Sequence, residues 1–322
     1  MTTKPATEIS ARQPETVPVR LRDAQSVFDT LDVSESTRAD YKARIIRFLR
    51  NVRKTGLTSD SFLNYKRSLA HRTDITAATK NKYLAAARVF LKELHRRGYL
   101  PVDVTMNVKS FSQSKRHKRT GISEDQMRLL AEHIRSLRPT PDNARLRAIL
   151  CLLGLQGLRQ VEICRLDVTD LDLNARTAMV QGKGQDDKEP VDLHPETVKA
   201  LREHVEASKV ADGPLFVGRS NNSRRLTTRG LRMIVHRTLA ELGVFRTVHG
   251  FRHYFTTKLI EAYAGDLLTV AQYTRHRSLE MLQVYNDNIK RQADLPRFYR
   301  TFRAVKFGPE TPSTSDNSNY RK

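Results

Sequence analysis

Cysteine is scarce: Cys151 and Cys164 are the two in 322 residues, too few for a disulfide framework. Both fall within apolar helical pattern and neither has metal-ligand spacing. Buried free thiols in a reducing cytoplasm are expected, with no zinc site and no disulfide. Long apolar runs are also missing. The best, Ile149 to Leu155, is stopped by Gln156 and Gly157, far short of the ~20 residues a membrane-spanning helix needs. Met1 to Arg20 carries Thr, Pro and Glu but no apolar h-region, so it reads as a disordered lead-in and not as a secretory signal. Gly182-Lys183-Gly184 has neither the glycine five positions before it nor the Ser or Thr after it that a phosphate-binding P-loop requires, so no ATP is implied. There is no internal repeat and no clustered carboxylate site.

Acidic residues are the scarce charge. Against 35 Asp and Glu stand 57 Lys and Arg, a formal net charge of +22. That excess points to a polyanion, with nucleic acid ahead of a membrane surface. With 39% hydrophobic residues, a chain of this length has material for two globular domains.

The amino-terminal part, residues 19–111, reads as helical. Ser36 is placed to cap a helix from Thr37 to about Lys54, Thr58 or Ser59 begins a second, and a third runs from about Ala77 to Arg97 before Gly98. Lys80, Lys82, Arg88, Lys92 and Arg96 fall on the outward face of the third. A solvated face is the plain reading of such cations; one sign of charge over successive helices favours DNA contact. Residues 112–122 form a bridge in which Lys115, Arg116, Lys118 and Arg119 either decorate an ordinary charged linker or track a phosphate backbone.

A second domain, 123–307, opens on a capping box at Ser123 to Gln126 and continues with an apolar helix from about Asp142 to Gln156. Leu171 to Val180 and Glu189 to Leu193 have strand-like content around a glycine-rich turn. Helices resume at Glu196 to Ala207 and Arg229 to Leu242. The tail, 308–322, turns to Pro, Ser, Thr and Asn and reads as disordered. The predicted fold is therefore mainly α with a small antiparallel β-sheet.

Two stretches near the end concentrate chemistry. In Val248 to His253, His249 and Arg252 are three apart, so one helix face presents an imidazole and a guanidinium to a shared target such as a phosphate oxygen. In Thr274 to Tyr285, His276 and Tyr285 are nine apart, on opposite faces of one straight helix. Ser278 as an N-cap resolves this, leaving His276 on the preceding loop and Tyr285 on the helix.

Taken in order, Gly157-Leu158-Arg159 with Glu162, Lys183 between glycines, His249 with Arg252, and His276 with Tyr285 resemble the signature of a tyrosine recombinase of the phage-integrase and Xer type, over roughly Val19 to Val305. The resemblance implies an amino-terminal helical core-binding (SAM-like) domain and an α+β catalytic domain. It implies attack by Tyr285 on a DNA phosphodiester, giving a 3′-phosphotyrosine and a free 5′-hydroxyl that later reverses the step on a partner strand. It further implies a specific double-stranded recombination site and a homotetramer at work.

The residue types suit such chemistry. A phosphoryl group in transfer carries spread negative charge, and Arg159 and Arg252 can each clamp two oxygens while staying charged, with no metal or cofactor required. Tyrosine titrates near pH 10, so Tyr285 needs surrounding positive charge or a base, for which His249 is the candidate. Lys183 is the expected acid for the departing 5′-oxygen, with Lys188 as the alternative. His276 is expected to hydrogen-bond a phosphate oxygen and Glu162 to orient its neighbours. His253 reads as a packing residue; Tyr254, Tyr263, Tyr273 and Tyr299 read as core or surface tyrosines.

The chain departs from the family pattern at several positions. Gln156 stands where threonine is usual, Phe251 where leucine is frequent, and Asp186 and Asp187 where basic residues are commoner. Arg275 stands where a glycine usually precedes the histidine, so a requirement for positive φ there would strain the turn. The short lead-in favours a two-domain recombinase without an arm-binding domain, acting in integration, excision or resolution as a cytoplasmic, nucleoid-associated protein. Ile289 to Phe307 is an amphipathic segment that either docks on a neighbouring subunit or packs on its own. The rival readings are a type IB topoisomerase-like strand relaxer and a non-cleaving DNA-binding regulator.

Overall fold

The computed structural model describes residues 26–53, 56–113, 121–182, 184–218, 225–276 and 278–301. Lys183, Lys115, Arg116, Lys118 and Arg119, the lead-in and the tail lie outside them. The chain divides into two compact units, 1–115 and 116–322.

In the first unit, a 3-10 turn at Val27–Thr30 precedes α1 (Glu35–Val52), α2 (Ser61–Ala70) and α3 (Ala77–Arg96). The helix start differs from the expectation. Ser34, not Ser36, is the N-cap, its hydroxyl accepting from the Thr37 amide, while Ser36 lies inside the first turn. Phe28, Phe48, Phe62, Tyr65 and Phe90 are buried together, with Phe48 and Tyr65 edge to face at 5.1 Å.

Of the α3 cations expected to face outward, Lys82 is exposed and two are partly committed within the unit. Lys80 Nζ donates to the Ala70 carbonyl at 3.0 Å and lies over the Phe111 ring. The half-buried Arg88 donates to the Val108 carbonyl at 2.7 Å and lies over Phe62.

The second unit runs α4 (Glu124–Ser136), α5 (Pro141–Gly154), α6 (Gln160–Arg165), β1 (Leu171–Asp172), β2 (Thr177–Gln181), β3 (Lys188–Asp192), α7 (Pro195–Ser208), α8 (Thr228–Glu241), α9 (His249–Ala262), α10 (Leu267–Thr274) and α11 (Leu279–Thr301). Apolar α5 is its centre. Thr140 caps it, Pro141 fits its first turn, and Ala148, Ile149, Leu152 and Leu153 are buried against α7 and α9.

The sheet is antiparallel in the order β1-β2-β3. The single strand expected over Leu171 to Val180 is instead two. The Asp172 carboxylate accepts from the amides of Asn174 and Ala175, and Arg176 takes a left-handed φ of 57°, so the chain reverses into β2. Residues 182–187 join β2 to β3, with the Gln181 side chain donating to the Gln185 and Asp186 carbonyls. Among the described residues no helix is long and apolar enough to cross a membrane.

Candidate active site

The site begins where α5 ends. Gly157 takes φ +58°, and the Leu158 amide turns back to donate to the Leu152 carbonyl at 3.0 Å. A Cβ on Gly157 would stand 2.2 Å from Phe255 Cδ1, so this position demands glycine twice over, for its φ and for its space. The two neighbouring departures from the family pattern are packing solutions: buried Gln156 donates to Thr197 Oγ1 at 3.1 Å, and Phe251 is buried in the core.

The turn delivers Arg159 to the N-cap of α6. Its amide donates to Glu162 Oε2 at 2.8 Å and its Nη1 to Glu162 Oε1 at 2.7 Å. Glu162 is completely buried, whereas the Arg159 side chain is 32% exposed. The carboxylate is thus the fixed partner, and the guanidinium keeps one side open.

Arg252, on the first turn of α9, is 4% exposed. Its Nη1 donates to the Gly157 carbonyl at 2.7 Å and its Nη2 to the Thr274 carbonyl, with His276 Nε2 3.5 Å away. Burial, reinforced by the Arg159 charge, pushes it down to about 9, so it remains a cation at neutral pH. His249, three residues earlier, is the exposed first residue of α9, and its charge is among those acting on His276.

α10 ends at Arg275, which adopts φ 52° and ψ 47°. The left-handed conformation that favours glycine is therefore present with a bulky residue in it. The Arg275 side chain turns to Glu162, its Nη2 2.6 Å from Oε2, so one buried carboxylate holds two guanidinium groups. The strain anticipated for the turn is real, and this ion pair offsets it.

His276 follows, with its Nδ1 2.6 Å from Thr274 Oγ1. The Thr274 hydroxyl donates its own proton to the Val270 carbonyl at 2.8 Å and so must accept from His276. This network assigns the proton to Nδ1 and leaves Nε2 as a lone pair toward Arg252. Burial, followed by the charges of Arg252 and Arg159, holds the imidazole down to about 3.

Ser278 Oγ accepts from the Glu280 amide at 3.2 Å as α11 begins, and Tyr285 lies on that helix. Tyr285 is 6% exposed and clusters with Ile260, Val270 and Leu282. Its ring meets His253 edge to face at 4.7 Å, so His253 packs directly on the phenol. Burial raises the phenol and the Arg252 charge pulls it down, with burial the larger influence.

Lys188, the alternative acid, pairs with the buried carboxylate of Asp170 at 2.5 Å. A cavity of about 400 Å³ is lined by Arg159, Glu162, Gln185, Glu189, Arg275 and His276. Arg275 was visible in the sequence as a charge in a glycine position. Nothing local showed that Glu162 was its partner. Among the described residues no group of three His, Cys, Asp or Glu is arranged to hold a metal ion.

The phage integrase family pattern matches residues 121–292, more than half of the chain. A tyrosine recombinase of Synechococcus elongatus is 30% identical over 232 residues, covering 70% of this chain and 71% of its own. The tyrosine recombinase XerC of Serratia marcescens is 28% identical over 269 residues, covering 79% and 84%. Among solved structures, the XerH site-specific recombinase bound to palindromic difH substrate superposes with a TM-score of 0.71 at 19% identity, over 88% of this chain and 85% of that one. The Tn1549 transposon integrase in complex with a circular intermediate DNA gives 0.65 at 16% identity, over 85% and 99%. Those two structural likenesses establish the fold; the sequence matches establish kinship, and this chain belongs to the phage integrase family of tyrosine recombinases, enzymes that cleave and rejoin DNA.

Proposed function

We propose that this protein is a site-specific DNA recombinase whose strand transfer runs through Tyr285, Arg159, Arg252, His249, His276 and Lys183. The observation that carries this reading is the convergence of Arg159, Arg275 and His276 on one cavity, while the Arg252 charge acts on both His276 and the Tyr285 hydroxyl. Phosphoryl transfer needs positioned cations more than it needs covalent help from the protein.

In the proposed step the Tyr285 oxygen bonds to phosphorus as the bond from phosphorus to the 5′-oxygen breaks. The phenol carries its proton at neutral pH and must lose it on attack; His249, exposed at the start of α9, is the acceptor. Lys183 returns a proton to the leaving 5′-oxygen. Arg159 and Arg252 hold the non-bridging oxygens. Neutral His276 steadies the Arg252 guanidinium through its Nε2 lone pair. Double-stranded DNA bearing a recombination site is the partner, engaged by the basic first unit through exposed cations such as Lys82 and by the bridge carrying Lys115, Arg116, Lys118 and Arg119. The working unit is a homotetramer across two sites.

The test is covalent trapping on a library of nicked duplexes randomised around the nick. The expected result is a protein–DNA adduct stable to denaturation, absent with Tyr285→Phe, whose DNA shares one sequence. Joined products from two different duplexes separate recombination from simple relaxation. DNA binding without any adduct would sink the proposal in favour of a non-cleaving regulator.

A further inference from the structure

We propose that Arg275 is a positioning residue of the phosphate pocket, a third guanidinium that neutralises Glu162 and so leaves the charge of Arg159 and Arg252 for the scissile phosphate. The inference rests on the site assignment above and adds a residue to it.

The backbone does not need this side chain. The Arg275 amide closes α10 by bonding to helix carbonyls, and glycine would hold the φ of 52° without strain. An arginine at such a position is a cost that its side chain must answer. The guanidinium is 11% exposed, with Nη2 2.6 Å from Glu162 Oε2, while Arg159 Nη1 occupies the other carboxylate oxygen at 2.7 Å.

A side chain kept only to brace the turn would spend its donors on the surrounding backbone carbonyls. Arg275 does not, for its Nη1 is buried with no hydrogen-bond partner among the described residues. What it supplies at this place is charge.

The electrostatic consequence follows from which groups are ionised. Without Arg275, the Glu162 carboxylate sets its negative charge against Arg159 alone. With Arg275 that carboxylate is shared between two guanidinium groups, and the pocket, which Glu189 also lines, carries one more positive charge. A phosphodiester carries one negative charge, and the five-coordinate arrangement formed when a phenolate oxygen adds to it carries two. Arg275 thus matches the pocket to the transition state more than to bound DNA, which is where an interaction accelerates the reaction.

The experiment uses the full chain and the nicked duplex recovered by trapping, carrying either a normal phosphodiester or an uncharged methylphosphonate at the cleaved position. Single-turnover adduct formation is compared for the wild type, Arg275→Gly and Arg275→Lys. Arg275→Gly is expected to lose roughly tenfold or more on the phosphodiester and less than about threefold on the methylphosphonate, with Arg275→Lys recovering most of the loss.

Equal losses on the two substrates, or no loss on the phosphodiester, would overturn the proposal. So would an Arg275→Gly protein that melts well below the wild type, since Arg275 would then be a strut. If the wild type forms no Tyr285 adduct, the site assignment itself falls. If the wild type reacts and Arg275→Gly keeps pace with it, the role of Arg275 alone is lost.

Discussion

Acidification should leave His276 uncharged long after an ordinary histidine has taken up its proton. Burial, together with the Arg252 and Arg159 guanidinium groups, lowers it from 6.5 to about 3. The folded form therefore resists a proton that the unfolded chain accepts. The stability tied to the neutral ring is fully present above about pH 6.5 and is lost progressively as the pH falls toward 3, where the loss levels off. At about 1.4 kcal/mol per unit the whole shift would correspond to about 5 kcal/mol. The ring is half-buried, so solvent screening cuts this to about 2 kcal/mol, of which about 1 kcal/mol is lost between pH 7 and pH 4.5. His276→Asn lacks the titrating group and should lose less stability over the same interval. Urea unfolding of both proteins at the two pH values reads that difference directly. The His276 Cε1–H NMR resonance, assigned by its absence from the variant, should titrate with a midpoint well below that of an ordinary histidine. A titration midpoint above about 5.5 would refute the reasoning, because neither the desolvation nor the two neighbouring cations could then be as the structure has them.

Gly157→Ala forces a left-handed alanine and drives its Cβ into Phe255, which together should cost about 2–4 kcal/mol, seen as a lower urea midpoint and as loss of covalent adduct. Arg252→Lys cannot keep both the Gly157 and Thr274 carbonyls as partners; adduct formation should fall by about 100-fold or more while DNA affinity in a gel shift changes little. Cys151 and Cys164 are both pushed up to about 11 by burial, so a thiol-reactive dye near pH 8 should label them slowly in the folded protein and rapidly once denaturant is added. Fast labelling of the folded chain would show that these helices open readily.

Local chemistry was legible in the sequence and non-local chemistry was not. Gly157 ending α5, the Ser123 capping box and Ser278 at the start of α11 each depend on residues within one helical turn, and each could be read from spacing. The third strand was missed because a side chain makes its turn: Asp172 accepts from the amides that follow it, in a run whose apolar content looks continuous. The first helix is capped at Ser34 and not at Ser36, because the backbone path brings the Ser34 hydroxyl to the Thr37 amide. At the site, residue types and order were apparent, but partners were not. Arg275 reaches Glu162 across more than a hundred residues of chain, and the tautomer of His276 depends on where the Thr274 hydroxyl sends its proton. A burial pattern cannot set Tyr285, resting against His253 with apolar neighbours, apart from other tyrosines, since that arrangement is what any core tyrosine would show.

The carbonyl of Gly157 anchors Arg252, and two residues later the same stretch of main chain carries Arg159. Both guanidinium groups are therefore gauged from one tripeptide, although they come from helices about ninety positions apart in the chain. Repacking around either arginine singly leaves that common reference in place, whereas a shift of the tripeptide moves both at once. The separation of the two charges is in this way a property of peptide geometry, and drift elsewhere in the sequence can proceed without retuning it.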